Sequence, residues 1–141
     1  MVAMLNHTFI ENEPIAKLVK EGKISQKDLN DIIERTQKGG AEIVKYLEKG
    51  SAFYAPASAG VEMAESYLKD LKKELPCAAY LNGEYGIRGI YAGVPVIIGK
   101  NGVEKVIEIN LSSDEKKQFD QSIKSVKDLF EAGKKIDNSL E

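Results

Sequence analysis

Side chains able to act as acid, base or nucleophile are sparse in this 141-residue chain, which carries one histidine, His7, and one cysteine, Cys77. A histidine moves protons usefully when a second group fixes which ring nitrogen holds the proton. His7 lies between Asn6 and Thr8, and the first carboxylate after it is Glu11. That setting predicts a surface or packing residue. Cys77 follows Pro76 among apolar residues, with no histidine or basic cluster beside it to stabilise a thiolate. A buried, inert thiol is the expectation. A lone cysteine also excludes an internal disulfide and a thiolate metal cage.

Gly83, Gly86, Gly89, Gly93, Gly99 and Gly102 raise the question of a phosphate-binding loop. Dinucleotide loops join a strand to a helix, and P-loops need Gly-Lys followed by Ser or Thr. These glycines instead separate stretches that read as strands, so turns and bulges account for them. Acidic residues are abundant, but they alternate with apolar helix stripes and read as solvated faces. No spacing suggests a metal site. Residue types alone supply no complete catalytic set; such a domain shapes one side of a pocket at most.

Composition narrows the class. Twenty basic against 22 acidic residues give a net charge of -2, which excludes the basic footprint of a nucleic-acid partner. No apolar run approaches the ~20 residues that cross a bilayer, and the opening residues lack the pattern of a signal peptide. The expectation is a soluble, cytoplasmic protein without a membrane partner, folded as one domain over residues 1–141.

Several elements must position whatever chemistry exists. Residues 1–10 read as a short strand or an extended entry. Pro14 opens a short helix over 15–21 that stops at Gly22, and Ser25 is placed to cap the next. Leu29, Ile32 and Ile33, then Ile43, Val44 and Leu47, continue at helical spacing on either side of Gly39-Gly40. This predicts one kinked helix or two in sequence. After Ser51-Ala-Phe-Tyr-Ala-Pro-Ala-Ser58, the stripe Val61, Ala64, Leu68, Leu71 and Leu75 predicts a long helix closed by Pro76. Residues 77–81 read as a strand and 82–93 as a glycine-rich loop. Residues 94–99 and 103–110 form a hairpin around Lys100-Asn-Gly102, whose Asn-Gly pair favours positive backbone angles. Ser112-Ser-Asp-Glu115 is a capping box for a last helix with the stripe Phe119, Ile123, Val126 and Phe130. The tail 137–141 is expected to fray. Helices, then strands, then a helix predict an α+β fold, an antiparallel sheet packed by long helices.

Five blocks then take on a meaning together. Glu34-Arg-Thr-Gln-Lys-Gly-Gly-Ala-Glu-Ile-Val44, Gly50-Ser-Ala-Phe-Tyr-Ala-Pro-Ala-Ser58 and Met63-Ala-Glu-Ser-Tyr-Leu-Lys-Asp70 come first. Leu75-Pro-Cys-Ala-Ala-Tyr-Leu-Asn-Gly-Glu-Tyr-Gly86 and Gly93-Val-Pro-Val-Ile-Ile-Gly99 follow. In this order they resemble the C-terminal, substrate-side half of the lactate/malate dehydrogenase family, in the wording of its bacterial, lactate-dehydrogenase-like malate dehydrogenases. The resemblance covers nearly the whole chain. It implies the fold of that family's C-terminal domain and, for the complete enzyme, NAD-dependent oxidation of malate to oxaloacetate in the tricarboxylic acid cycle.

The family's catalytic histidine sits in a His-Gly-Asp motif, is oriented by an aspartate, and works beside three substrate-binding arginines; NAD binds a preceding Rossmann domain. Met1-Val2 is similar to the Met-Val that follows His-Gly-Asp, which implies that this chain begins just after the catalytic histidine. His7, Arg35 and Arg88 do not match the family's catalytic positions, so no catalytic residue is assigned here. What carries over is a pocket wall: Ser51, Ala52 near the substituent on substrate C2, and Pro56 against the nicotinamide ring. The implied partners are the missing Rossmann half or full-length subunits, within a homo-oligomer. The isolated chain is expected to be inactive. A second reading is a non-catalytic assembly module that associates with a full-length dehydrogenase, and an independent enzyme built on Cys77 or His7 is disfavoured.

Overall fold

The computed structural model describes residues 2–137 and Ser139. The chain divides into two compact units, Met1–Phe53 and Tyr54–Glu141.

In the first unit a 3-10 turn at Leu5–His7 leads to β1 (Phe9–Ile10), paired antiparallel with β2 (Glu13–Pro14). Glu11 and Asn12, between them, both take positive φ (50° and 69°), as a tight hairpin of the right twist requires. The strand part of the expected entry is therefore confined to Phe9–Ile10, preceded by the 3-10 turn. α1 (Ile15–Lys20) follows directly, with Pro14 at its N-cap, and it buries Ile15 and Leu18. α2 (Gln26–Gln37) is capped by Ser25, whose Oγ accepts from the Asp28 N–H at 3.0 Å. α3 (Gly39–Leu47) is a second helix: the break falls at Lys38, one residue before the glycine pair. Arg35 braces it, donating through Nη2 and Nε to the Glu42 carboxylate at 2.8 and 3.1 Å.

The second unit opens with α4 (Tyr54–Leu68). The sheet consists of β3 (Lys73–Asn82), β4 (Arg88–Gly99) and β5 (Gly102–Val106), antiparallel in the order β3-β4-β5. Ala79 and Leu81 on β3 and Ala92, Val94, Val96 and Ile98 on β4 alternate inward and form the core. α5 (Ser113–Lys134) adds Phe119 and Ile123 to it. Both α4 and α5 pack on β4. This is the expected α+β layering of helices on an antiparallel sheet.

Three expectations are corrected. The helix does not run to Leu75: Asp70 and Lys72 take positive φ, and the chain is already in β3 at Lys73. Leu71 and Leu75 kept helical spacing by coincidence of sequence, while pairing with β4 decided their conformation. Pro76 consequently lies opposite Pro95 in an edge strand, where a missing N–H is tolerated. Second, β4 begins at Arg88, so the loop expected over 82–93 shrinks to a turn around Glu84–Gly86. Third, β5 ends at Val106 instead of Asn110. In the β4–β5 hairpin it is Gly102 that takes positive φ (86°). The capping box forms as expected, with Ser112 N–H donating to Glu115 Oε2 at 2.8 Å and Glu115 N–H to Ser112 Oγ at 3.3 Å. Among the described residues no helix is long and apolar enough to cross a membrane. Met1, and Asn138, Leu140 and Glu141 of the tail expected to fray, lie outside the described residues.

Candidate functional site

The segment from Leu47 to Phe53 carries the candidate wall. α3 ends where Glu48 turns left-handed (φ 59°), its N–H donating to Val44 O at 3.1 Å. Lys49 N–H donates to Leu47 O at 2.6 Å, and Gly50 then takes a φ of 95°. Ser51, Ala52 and Phe53 are irregular in conformation; Ser51 is exposed and Ala52 half-buried. A β-carbon added to Gly50 would lie 3.1 Å from both Cε2 and Cζ of Phe53, so the ring is seated against the glycine backbone. Ser51 and Ala52 thus sit together at the end of the first unit. Pro56 belongs to the second, in the first turn of α4, where a proline keeps its fixed φ without breaking a helical bond. Its side chain is exposed.

The residues set aside on sequence grounds are placed as follows. His7 is exposed in the 3-10 turn, its backbone N–H bonded to Met4 O at 3.0 Å. Cys77 is half-buried rather than buried, and its thiol donates to Met63 Sδ at 3.2 Å. Burial pushes the thiol above its ordinary pKa, the direction of an unreactive cysteine. Arg35 is held by Glu42, and Arg88 donates to Asn82 Oδ1 at 3.1 Å. Among the described residues no group of three or more His, Cys, Asp or Glu side chains is placed to hold a metal ion.

Two structural residues escaped the sequence reading. Ser66 is fully buried, its hydroxyl donating to Ile98 O at 2.7 Å and accepting from Lys73 N–H at 3.2 Å. Tyr85, at positive φ, donates its hydroxyl to Ile107 O at 2.7 Å, accepts from Ile109 N–H at 3.1 Å and lays its ring 5.1 Å from Phe119. Burial raises its phenol pKa, partly opposed by the Ile109 bond. Tyr85 thus bonds backbone groups of residues 107 and 109, beyond the end of β5, where a strand had been expected. Neither had a local signal in sequence: the Ser66 bond to Ile98 and the Tyr85 bond to Ile107 each span more than twenty residues.

Comparison with known proteins now adds to the geometry. A family model described as the lactate/malate dehydrogenase, alpha/beta C-terminal domain matches residues 1–136. The malate dehydrogenase of Pelagibacter ubique is 62% identical over 140 residues, which are 99% of this chain and 44% of that protein. The malate dehydrogenase of Caulobacter vibrioides is 54% identical over the same share of each. Among solved structures, lactate dehydrogenase from Eimeria maxima with NADH and oxamate superposes at a TM-score of 0.91 with 39% identity, over 96% of this chain and 42% of that one. Cryptosporidium parvum malate dehydrogenase superposes at 0.86 with 46% identity, over 89% and 40%. The chain spans less than half the length of these relatives. This chain belongs to the lactate/malate dehydrogenase family, through that family's alpha/beta C-terminal domain.

Proposed function

We propose that residues 1–141 act together as the substrate-side domain of an NAD-dependent malate dehydrogenase, which oxidises malate to oxaloacetate. The observation that carries this reading is the 62% identity with a malate dehydrogenase along nearly the entire chain. The family resemblance assigns Ser51 and Ala52, in the first unit, and Pro56, in the second, to the lining of the substrate and nicotinamide side. The small side chain of Ala52 leaves room for a dicarboxylate at C2, and the exposed Pro56 offers an apolar surface to a flat ring. An apolar wall works by excluding water and holding the reactants in line, not by moving protons.

The dinucleotide as a whole is not held by this chain. The glycines from Gly83 to Gly102 lie within and between strands β3, β4 and β5, not between a strand and a helix N-terminus. A Rossmann domain would hold NAD, which would supply the hydride acceptor, while Ser51, Ala52 and Pro56 would face only its nicotinamide side. The proton-accepting histidine, its aspartate and the substrate arginines belong outside these residues, so the partner is a cofactor half or full-length subunit, in a cytoplasmic homo-oligomer.

The test replaces the matching 44% of the Pelagibacter ubique malate dehydrogenase with this chain. The chimera is expected to reduce NAD when malate is supplied, and the isolated chain to show no turnover. A folded but inactive chimera would refute the malate reading. Turnover by the isolated chain would refute the placement of the catalytic groups elsewhere.

A further inference from the structure

We infer that Phe53 is a positioning residue for this reaction: by seating its ring on Gly50 it holds Ser51 and Ala52 as a fixed piece of the pocket wall. The inference rests on the reading of those two residues given above. No helix or strand holds Ser51 and Ala52. They are spanned instead by a closed contact between the residues on either side, with two ring carbons 3.1 Å from where a β-carbon on Gly50 would lie. Phe53 as a residue is 60% exposed, so burial in the core does not account for its placement. Gly50 is required twice. Its φ of 95° is costly for any other residue, and a β-carbon there would push the ring back by a few tenths of an ångström. The clasp thus depends on a left-handed glycine and an aromatic residue three positions later, which bracket Ser51 and Ala52.

A wall that acts by alignment loses its effect when it shifts by a fraction of the reacting distance. Removing the ring leaves Ser51 and Ala52 free to sample other conformations. Turnover falls while substrate affinity, set by groups that grip the carboxylates, changes little. Phe53→Tyr keeps the ring and the clasp, and Phe53→Ala and Gly50→Ala each remove one half of it.

The experiment uses the Pelagibacter chimera. In the unsubstituted protein one Gly50 Hα resonance is displaced by the ring current of Phe53; the displacement is lost in Phe53→Ala and kept in Phe53→Tyr. With it, kcat drops about tenfold or more in Phe53→Ala and in Gly50→Ala, KM stays within about twofold, and Phe53→Tyr restores kcat. The unfolding midpoint of Phe53→Ala stays near that of the parent, which separates positioning from loss of fold. An active chimera whose Phe53→Ala variant keeps full kcat overturns the positioning role and leaves the malate reading intact. A Gly50 resonance at its ordinary position in the parent overturns the clasp. An inactive, folded parent overturns the malate reading and the role of Phe53 with it, whatever the Gly50 resonance shows.

Discussion

Ser66 shows how one hydroxyl ties a helix to the sheet beside it. It is fully buried near the end of α4, and its two hydrogen bonds tie the helix to Lys73 at the start of β3 and to Ile98 on β4. Ser66→Ala leaves the Lys73 N–H without this acceptor and removes a donor from the Ile98 carbonyl. The expected loss is about 1–3 kcal/mol, the usual effect of stranding a buried polar group. It reads as a lower urea midpoint with an unchanged denaturant slope; an unshifted midpoint would show that water takes over both bonds. Cys77 illustrates the opposite case, a reactive residue type made quiet by its surroundings. Its half-buried thiol sits against Met63, and burial disfavours the thiolate.

At the scale of elements, local chemistry is trustworthy at helix starts and weaker at helix ends. Ser25 and Ser112 both cap as their sequences predict, because the cap needs only residues within one turn. Ser112→Ala is expected to cost about 1 kcal/mol and to speed amide exchange at Glu115, whose N–H the Ser112 hydroxyl accepts. Ser113→Ala, one residue later, serves as the control and leaves that amide unchanged. Equal effects from both substitutions would locate the stabilisation in the first turn generally instead of in the cap. The end of α4 was not legible in the same way. Leu71 and Leu75 continue the helical stripe, and only the pairing of Lys73–Asn82 with β4 overrides it. Propensity is a weak prior that tertiary contacts routinely reverse. The β4–β5 hairpin was legible because a glycine in a short connection between two apolar alternating runs has few alternatives.

At the scale of the molecule, the apolar surface speaks for association. Leu68, Leu129 and Ile136 are 79%, 75% and 89% exposed, and the stripe on α5 is buried only at Phe119 and Ile123. Val126 and Phe130, expected to continue that buried stripe, remain partly exposed. Large apolar side chains left in water favour self-association. The isolated chain is expected to show a weight-average mass that rises with concentration in sedimentation equilibrium. Leu129→Lys lowers that mass and leaves the unfolding midpoint unchanged, since the side chain contributes little to the core. A concentration-independent monomer would show that these side chains fold back on their own unit.

The scarcity of acid–base residues, the helix caps, the hairpin and the α+β order were all determined by the sequence itself, because each depends on composition or on neighbours within a few positions. The five ordered blocks carried the family as well, and with it the proposal that Ser51, Ala52 and Pro56 line the pocket. Tertiary structure alone decided the end of α4, the extent of β4, the end of β5, and the seating of Phe53 on Gly50. In the first three cases the deciding partners lie far apart in sequence, so no local pattern records them. Gly50 and Phe53 are three residues apart, yet their contact depends on a left-handed φ and a side-chain rotamer that residue types alone do not fix.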